Sequence, residues 1–432
     1  MDMKYSQVIH IDPVRNLAAH VTVPGSKSYS QRALVAASLA HGQSILRNVL
    51  LSEDTAWFIE ALQALGANIT ADVGNIVVEG VNGKLLTPQK PLYLGNNGTA
   101  MRFLASIACL SRGSVVLTGE DRLCERPIQP LMDYLGQLGV RYRYISKNGF
   151  PPVEIQADGL RGGDLKIKNT ESSQYISSLL LAAPYAHAPV SITLEGGIVS
   201  RPYIEMTIQV MADFSVAVET DGSECYKIPC NLTYEGRDYA IEGDASSASY
   251  FFMAAMLSKG VVRVNNMNPQ SRQGDLKLLD LFTAWGGEVL WGDNWIEVRG
   301  HDMITGDWII DMGDMPDMVP TAAVLAAFRH GVTEFSRVAH LRIKESNRLA
   351  ALVAELGKMG IAAREEEDRL IVTGGQPRGA AIQTYNDHRI AMSFAVAGLV
   401  VPGMTIENPR CVDKSFPSFW EVFGQLGGQP DD

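Results

Sequence analysis

The sequence predicts an α/β protein of six similar units in two domains, on two observations. Polar, Ser/Gly/Asp-rich openings fall near Lys27, Gly98, Ser172, Asp244, Asp317 and Asp387, at successive separations of 71, 74, 72, 73 and 70 residues. Each opening leads into an Ala/Leu-rich apolar helix, a glycine and a β-like run, such as SILRNV at 44–49 or VVRVNN at 261–266. A near-constant period of this kind marks an internal repeat. A unit of about 70 residues buries too little surface by itself, so several must share a core, and six units over this length divide into two domains of three. Repeat counting places the crossing near 242–244, where the fourth block opens, and no Pro- or Ser-rich linker marks it.

Within a block the elements follow from spacing. Phe58, Ala61, Leu62 and Leu65 stand at i, i+3, i+4 and i+7 before Gly66, which predicts a second, amphipathic helix closed by a left-handed glycine. Leu349, Leu352, Val353 and Leu356 repeat the pattern before Gly360, as do Phe419, Val422, Phe423 and Leu426 before Gly427. In the third block Phe214 occupies the glycine position, so that helix must end differently. Short β runs at 76–78, 153–155, 295–298 and 370–372 complete the blocks, and each reads helix, strand, helix, strand.

Composition narrows the function. The 432 residues carry 37 Lys plus Arg against 48 Asp plus Glu, a formal charge of −11, with 46% hydrophobic residues. A disordered or fibrous chain is excluded, and an acidic balance argues against broad binding of nucleic acid or anionic membrane. Any bound anion must be met by a local cluster of cations. The five cysteines, Cys109, Cys124, Cys225, Cys230 and Cys411, are odd in number and lack C-x-x-C spacing, which fits a reduced cytoplasmic protein without a zinc site. No signal-peptide pattern opens the chain, and the longest apolar run, 390–401, is too short to span a bilayer.

The openings are where chemistry can sit. Ser, Thr, Asn, Asp and Gly cap helix N-termini, and capping alone explains any single opening. Repetition changes the weighing, because converging N-termini offer free N–H groups and positive dipole ends to a common anion. Lys27, Arg32, Arg102, Arg126, Lys344, Arg348, Arg389 and Lys414 cluster beside these same openings. In PGSKSYSQR at 24–32, Ser28 and Arg32 share a helical face with Lys27 at its start, a hydroxyl, a guanidinium and an ammonium suited to phosphate or carboxylate. LGNNGTAMR at 94–102 supplies glycines for close backbone approach, although Asn-Gly is commonly just a turn. Lys344 and Arg348 flank Glu345 in a pattern that an exposed salt-bridged helix would also give, and His388 and Asp317 each have a plain capping or core explanation.

The segments GSKSYSQR, LGNNGTAMR, ERPIQPL, ESSQY, VSRPYIEMT, EGDASSASYF, IKESNRL, YNDHRIAM and KSFP, in order from 24 to 417, resemble those of the 5-enolpyruvylshikimate-3-phosphate synthase family, enolpyruvyl transferases of the shikimate pathway. The ERP and SRPY forms resemble its glyphosate-sensitive class. The resemblance implies two similar lobes, each of three βαβαββ repeats, with the ligand cleft between them: residues 25–242 in one, and 1–24 plus 243–432 in the other. It implies a cytoplasmic monomer whose partners are shikimate-3-phosphate, phosphoenolpyruvate and the inhibitor glyphosate, with no cofactor and no metal.

The resemblance also implies residue roles. Lys27, Asn96, Gly98, Arg126, Gln174, Arg348, His388, Arg389 and Lys414 would hold phosphoenolpyruvate. Lys27, Ser28, Arg32, Ser172, Ser173, Gln174, Ser200, Tyr203, Asp317, His340 and Lys344 would hold shikimate-3-phosphate. Asp317 would accept the hydroxyl proton, and Glu345, assisted by Lys27, would handle the proton at C3 of the enol. Three positions depart from the family pattern: His340 stands where Asn is common, Phe103 where Pro is frequent, and Asn347 replaces an Asp, which leaves Arg348 with less nearby negative charge. Two other readings remain. A sister transferase acting on UDP-N-acetylglucosamine uses a loop Cys, and Cys124 lies two residues before Arg126. A non-catalytic anion-binding protein of the same fold would need the cations but not Asp317 and Glu345 together.

Overall fold

The computed structural model describes residues 7–72, 74–168, 172–196, 200–220 and 224–427. The chain divides into two compact units, one of Gly25–Ile241 and one, the terminal unit, of Met1–Pro24 with Glu242–Asp432. Glu242 belongs with the residues that follow it, because its carboxylate accepts from Asn268 Nδ2 at 2.7 Å and from Gln273 Nε2 at 2.8 Å.

Six apolar helices recur at the repeat period. The 25–241 unit holds Lys27–Leu39, Gly98–Ile107 and Ser173–Ala182; the terminal unit holds Ala245–Ser258, Val319–Ala326 and His388–Gly398. They are buried along nearly their whole length, so each unit keeps its helices inside and its own apolar core around them. A helix buried on every side has no solvent face, so an amphipathic stripe is not required of it, and Ala245–Ser258 shows none.

The strands form sheets outside the helices, six among the described residues. In the 25–241 unit three four-stranded sheets share one plan, an edge strand parallel to the next followed by an antiparallel hairpin. Leu92–Tyr93 runs parallel to Arg112–Thr118, which pairs antiparallel with Val153–Asp158 and then Arg141–Tyr144. Gly163–Lys168, Val190–Glu195, Cys225–Ile228 and Glu219–Thr220 repeat the order. In the remaining sheet Gln43–Arg47 takes its parallel neighbour, Asp238–Ala240, from the far end of the unit. The terminal unit does the same in reverse: Ala18–Thr22 runs parallel to Val261–Asn265, and Val8–Ile11 pairs antiparallel with Met404–Glu407. Five of the blocks are therefore βαβαββ rather than helix, strand, helix, strand, and the sixth has a three-stranded sheet completed by Val8–Ile11. The added leading strands are as short as two residues, Leu92–Tyr93 and Ala381–Ile382, too short for a period-2 pattern to register.

The second helices stand where the spacing predicts them, at Glu53–Ala64, Arg348–Lys358 and Phe419–Gly424, with Gly66, Gly360 and Gly427 left-handed after them. In the third block Arg201–Asp213 is capped by Phe214, and Ser215 takes the left-handed place at φ 70° without a glycine. Among the described residues no helix is long and apolar enough to cross a membrane.

Candidate active site

In the 25–241 unit the three buried helices begin at one end, where their first residues are tied together. Ser26, Asn97 and Ser172 are the N-caps, accepting from Tyr29 N, Ala100 N and Gln174 N. Lys27 Nζ reaches Asp54 Oδ2 at 3.2 Å, and Asn97 Nδ2 donates to the Asp54 carbonyl at 2.8 Å, so one acidic residue links two helix starts. Gln174 Nε2 donates to Thr99 Oγ1 at 3.0 Å and brings in the third. Arg126 is buried against the same end: a Cβ built on Gly98 would lie 2.5 Å from its guanidinium and from Arg102 Nη1, so the missing side chain at 98 makes room for two arginines.

Arg32 sits one turn below this surface. Its Nε donates to Thr207 Oγ1 at 2.7 Å, Nη1 to the Ser28 carbonyl at 2.9 Å, and Nη2 to the Tyr203 carbonyl at 3.0 Å and to Ser177 Oγ at 3.4 Å. Burial lowers its pKa to about 10, and the guanidinium stacks 5.3 Å from the Phe103 ring centroid. Phe103 thus packs on Arg32, and the helix from Gly98 starts with an ordinary Asn97 cap despite the missing proline. These four bonds use four of the five guanidinium N–H groups and fix the plane in which Arg32 can meet a ligand. Ser28, Ser172, Gln174 and Tyr203 stay half-buried and Ser173 and Ser200 are buried, with Ser200 left-handed, at φ 63°, before Arg201–Asp213.

The terminal unit gathers the opposite charges. Asp317 is not a helix cap; it lies in the 3₁₀ turn Pro316–Met318, and its carboxylate is held by cations. Arg348 Nη1 donates to Oδ1 at 2.9 Å, Arg389 Nη2 to Oδ2 at 2.9 Å, and Lys344 Nζ stands 3.8 Å from Oδ1. Arg348, itself fully buried, also donates from Nη2 to Glu345 Oε2 at 2.7 Å and from Nε to Asp387 Oδ2 at 2.8 Å. Asp387 caps its helix by accepting from Arg389 N at 3.0 Å, and accepts from Ser346 Oγ at 2.9 Å. Arg389 Nη2 reaches Ser246 Oγ at 3.2 Å, so the starts of Ala245–Ser258, Arg348–Lys358 and His388–Gly398 meet at Asp317 and Asp387.

Electrostatics follow from this packing. Burial alone would raise the Asp317 carboxyl, but Arg389, Lys344 and Arg348 hold it far below the usual carboxylate range. Burial would lower Arg348, yet Asp387, Glu345 and Asp317 push it above its ordinary value. The exchange of Asp for Asn347 therefore does not leave Arg348 short of negative charge: three carboxylates surround it, and Asn347 still caps the helix by accepting from Ala350 N at 3.3 Å. Burial, then Lys344, lower His340 to about 3, so it is neutral. His388 is buried beside Asp387, with Nδ1 3.8 Å from Oδ1, and Lys414 is buried at the end of the 3₁₀ helix Pro409–Lys414, packed on His388–Gly398.

The structure thus brings together Lys27, Gly98, Arg126 and Gln174 in one unit, and Asp317, Lys344, Glu345, Arg348 and Arg389 in the other. Asp54, Asp275 and Ser246 are participants that sequence reasoning missed. Asp54 reads as an ordinary first-turn acid of Glu53–Ala64, and nothing near Asp275 or Ser246 sets either apart from its neighbours.

Buried and half-buried cations beside carboxylates can hold anions and move protons in the same place. Comparison with known proteins agrees. The family model for EPSP synthase (3-phosphoshikimate 1-carboxyvinyltransferase) matches residues 11–423. A 3-phosphoshikimate 1-carboxyvinyltransferase of Photobacterium profundum is 41% identical over 96% of this chain and 98% of its own, and one of Vibrio cholerae is 40% identical over the same shares. The solved structure of EPSP synthase from Acinetobacter baumannii superposes with a TM-score of 0.81 at 27% identity, covering 98% of this chain and 99% of that one. With its repeats, its two charge clusters and a family match over nearly the whole sequence, the chain belongs to the EPSP synthase family.

Proposed function

We propose that the chain transfers the enolpyruvyl group of phosphoenolpyruvate to the 5-hydroxyl of shikimate-3-phosphate, in the pathway to chorismate and the aromatic amino acids. The observation that carries this reading is the grouping of half-buried Asp317, Glu345 and Lys344 with buried Arg348 and Arg389 in one cluster. In the reaction the hydroxyl oxygen bonds to C2 of the enol while C3 takes a proton. The tetrahedral adduct then loses a proton from C3 as the C2–O bond to phosphate breaks, restoring the double bond and releasing inorganic phosphate.

Each step needs what one side chain offers. Asp317 takes the hydroxyl proton. It is a weak base while two arginines and a lysine hold it, but an incoming carboxylate competes for those cations and frees the Asp317 oxygens. Binding of phosphoenolpyruvate on Arg348 and Arg389 therefore switches the base on. Glu345, already a partner of Arg348, gives and removes the C3 proton with Lys27. Lys27, Asn96, Gly98, Arg126, Gln174, His388 and Lys414 complete the phosphoenolpyruvate contacts; Ser28, Arg32, Ser172, Ser173, Ser200, Tyr203, His340 and Lys344 serve shikimate-3-phosphate. Positioning with fixed charge supplies the rate. Glyphosate inhibits by taking the phosphoenolpyruvate contacts, and the enzyme acts as a cytoplasmic monomer.

Cys124 offers little support for the UDP-N-acetylglucosamine alternative. Burial raises its thiol above the ordinary value, and its S–H points to the Gly119 carbonyl at 3.7 Å, so it lacks the thiolate character of a reactive cysteine. Depletion of each acceptor in the presence of phosphoenolpyruvate decides between them. Consumption of shikimate-3-phosphate alone is expected; consumption of UDP-N-acetylglucosamine alone would overturn the proposal.

A further inference from the structure

The terminal unit contains a buried carboxyl that the reaction above does not use. Asp275 lies in the 3₁₀ turn Gly274–Lys277, and Ser246 Oγ donates its hydrogen to Asp275 Oδ2. Arg389 Nη2 donates to that same hydroxyl oxygen at 3.2 Å and to Asp317 Oδ2 at 2.9 Å. One guanidinium nitrogen is thus stretched between the proposed base and, through a hydroxyl, a second carboxyl. A serine hydroxyl has a single hydrogen. By taking it, Asp275 turns the oxygen lone pairs toward Arg389 and gives that guanidinium a fixed acceptor.

The charges around Asp275 come from four directions. Asp244 and Ser246 face it from the start of Ala245–Ser258, Asp317 from its turn and Arg389 from His388–Gly398, while Lys277 on its own turn is engaged with Asp314 at 2.8 Å. Burial, then Asp317, push the carboxyl up to about 6, and Arg389 offsets part of the rise. An anion seated on Arg389 adds negative charge and weakens that offset, so the carboxyl rises further.

We propose that Asp275 is a positioning residue for the anion site: through Ser246 it fixes the Arg389 guanidinium, and it takes up a proton from solvent when an anionic group of phosphoenolpyruvate comes against Arg389. This rests on the reading that Arg389 meets phosphoenolpyruvate.

The test uses the full chain and three forms: wild type, Asp275→Asn and Ser246→Ala. Phosphoenolpyruvate is titrated by calorimetry with shikimate-3-phosphate present, at about pH 5.5 and about pH 7.5, in buffers of differing ionisation enthalpy. Wild type should lose about tenfold more affinity than Asp275→Asn between the two pH values, the equivalent of one pKa unit, and should take up more protons on binding. The proton released or taken up by phosphoenolpyruvate itself cancels in that comparison. Ser246→Ala should weaken phosphoenolpyruvate about tenfold while shikimate-3-phosphate binds unchanged. Identical pH dependence and proton uptake in wild type and Asp275→Asn would overturn the proton uptake, and equal loss of both substrates in Ser246→Ala would reduce the pair to a structural role. If Asp275→Asn does not fold, Ser246→Ala with a wild-type melting temperature still decides the positioning claim. A wild-type chain that binds no phosphoenolpyruvate defeats the parent reading before any variant is compared, and this inference falls with it.

Discussion

At Asp317 two arginines and a lysine share one carboxylate, so its replacement separates charge from shape. Asp317→Asn keeps the shape but leaves Arg348 and Arg389 less neutralised, which favours an incoming anion. We expect turnover to fall by about 10²–10⁴-fold with KM for phosphoenolpyruvate unchanged or lower, and Glu345→Gln to lose turnover similarly. Steady-state kinetics of both variants check this; near-normal kcat in both would remove the two acids from the chemistry. At Gly98 an added methyl meets Arg126 and Arg102 at 2.5 Å before it meets any ligand. Gly98→Ala should therefore displace Arg126 and weaken both ligands, glyphosate more than the smaller phosphoenolpyruvate, by about 1–3 kcal/mol or ten- to a hundredfold. Competition of glyphosate with phosphoenolpyruvate reads the two losses separately, and equal losses would mean that Gly98 does not discriminate between them. His340 gives a pH prediction. Its folded pKa of about 3 lies below the unfolded value, so the unfolded chain binds a proton that the folded one refuses. Stability is present above about pH 6.5 and is lost as pH falls toward 3. His340→Asn should lose less stability than wild type between about pH 8 and about pH 4.5, measured by thermal melts, and parallel curves would contradict the assigned burial of the ring. The candidate site was legible at residue scale where several cationic and hydroxyl side chains share one short segment, as in Lys27, Ser28 and Arg32. Asp54 and Asp275 were not, because their partners lie on other elements: Asp54 contributes to the start of Gly98–Ile107, and Asp275 reaches Arg389 only through Ser246.

At the scale of elements, the helix starts do two things at once. Asn97 Oδ1 accepts from Ala100 N at 2.9 Å while its Nδ2 donates to the Asp54 carbonyl at 2.8 Å, so the cap also ties two helices. Asn97→Ala should cost about 1–2 kcal/mol, seen as a lower denaturant midpoint, and no shift would show that the cap is replaceable by water. The same duality explains which elements the sequence revealed. Amphipathic second helices and hairpin strands have a solvent side and hence a pattern, whereas Ala245–Ser258 is apolar all round and is marked only by its Asp244 cap and its place in the repeat. The fifth opening misled for a physical reason: Asp317 occupies the repeat position of a cap, but Pro316 starts a 3₁₀ turn there and the carboxylate is taken by arginines.

For the whole molecule, the period of about 70 residues made the six-fold plan visible, but the pairing of distant strands was hidden. Nothing in the sequence says that Asp238–Ala240 completes the sheet of Gln43–Arg47, or that Ala18–Thr22 completes that of Val261–Asn265, since contacts at such separation leave no local signature. One consequence is asymmetric. The 25–241 unit is a single stretch with its own core and all its sheet partners, whereas the terminal unit needs Val8–Ile11 and Ala18–Thr22 to fill two sheets. A 25–241 fragment should melt cooperatively, and a chain lacking residues 1–24 should lose the terminal unit's transition, as followed by calorimetry. A non-cooperative fragment would mean that the two units fold only together.

Enolpyruvyl transfer from phosphoenolpyruvate to shikimate-3-phosphate is measured by phosphate release. The full chain is given phosphoenolpyruvate alone, shikimate-3-phosphate alone, and both. Phosphate is expected only with both substrates, in amounts equal to the shikimate-3-phosphate consumed. Phosphate released without the acceptor, or no phosphate despite binding of both ligands, would contradict it.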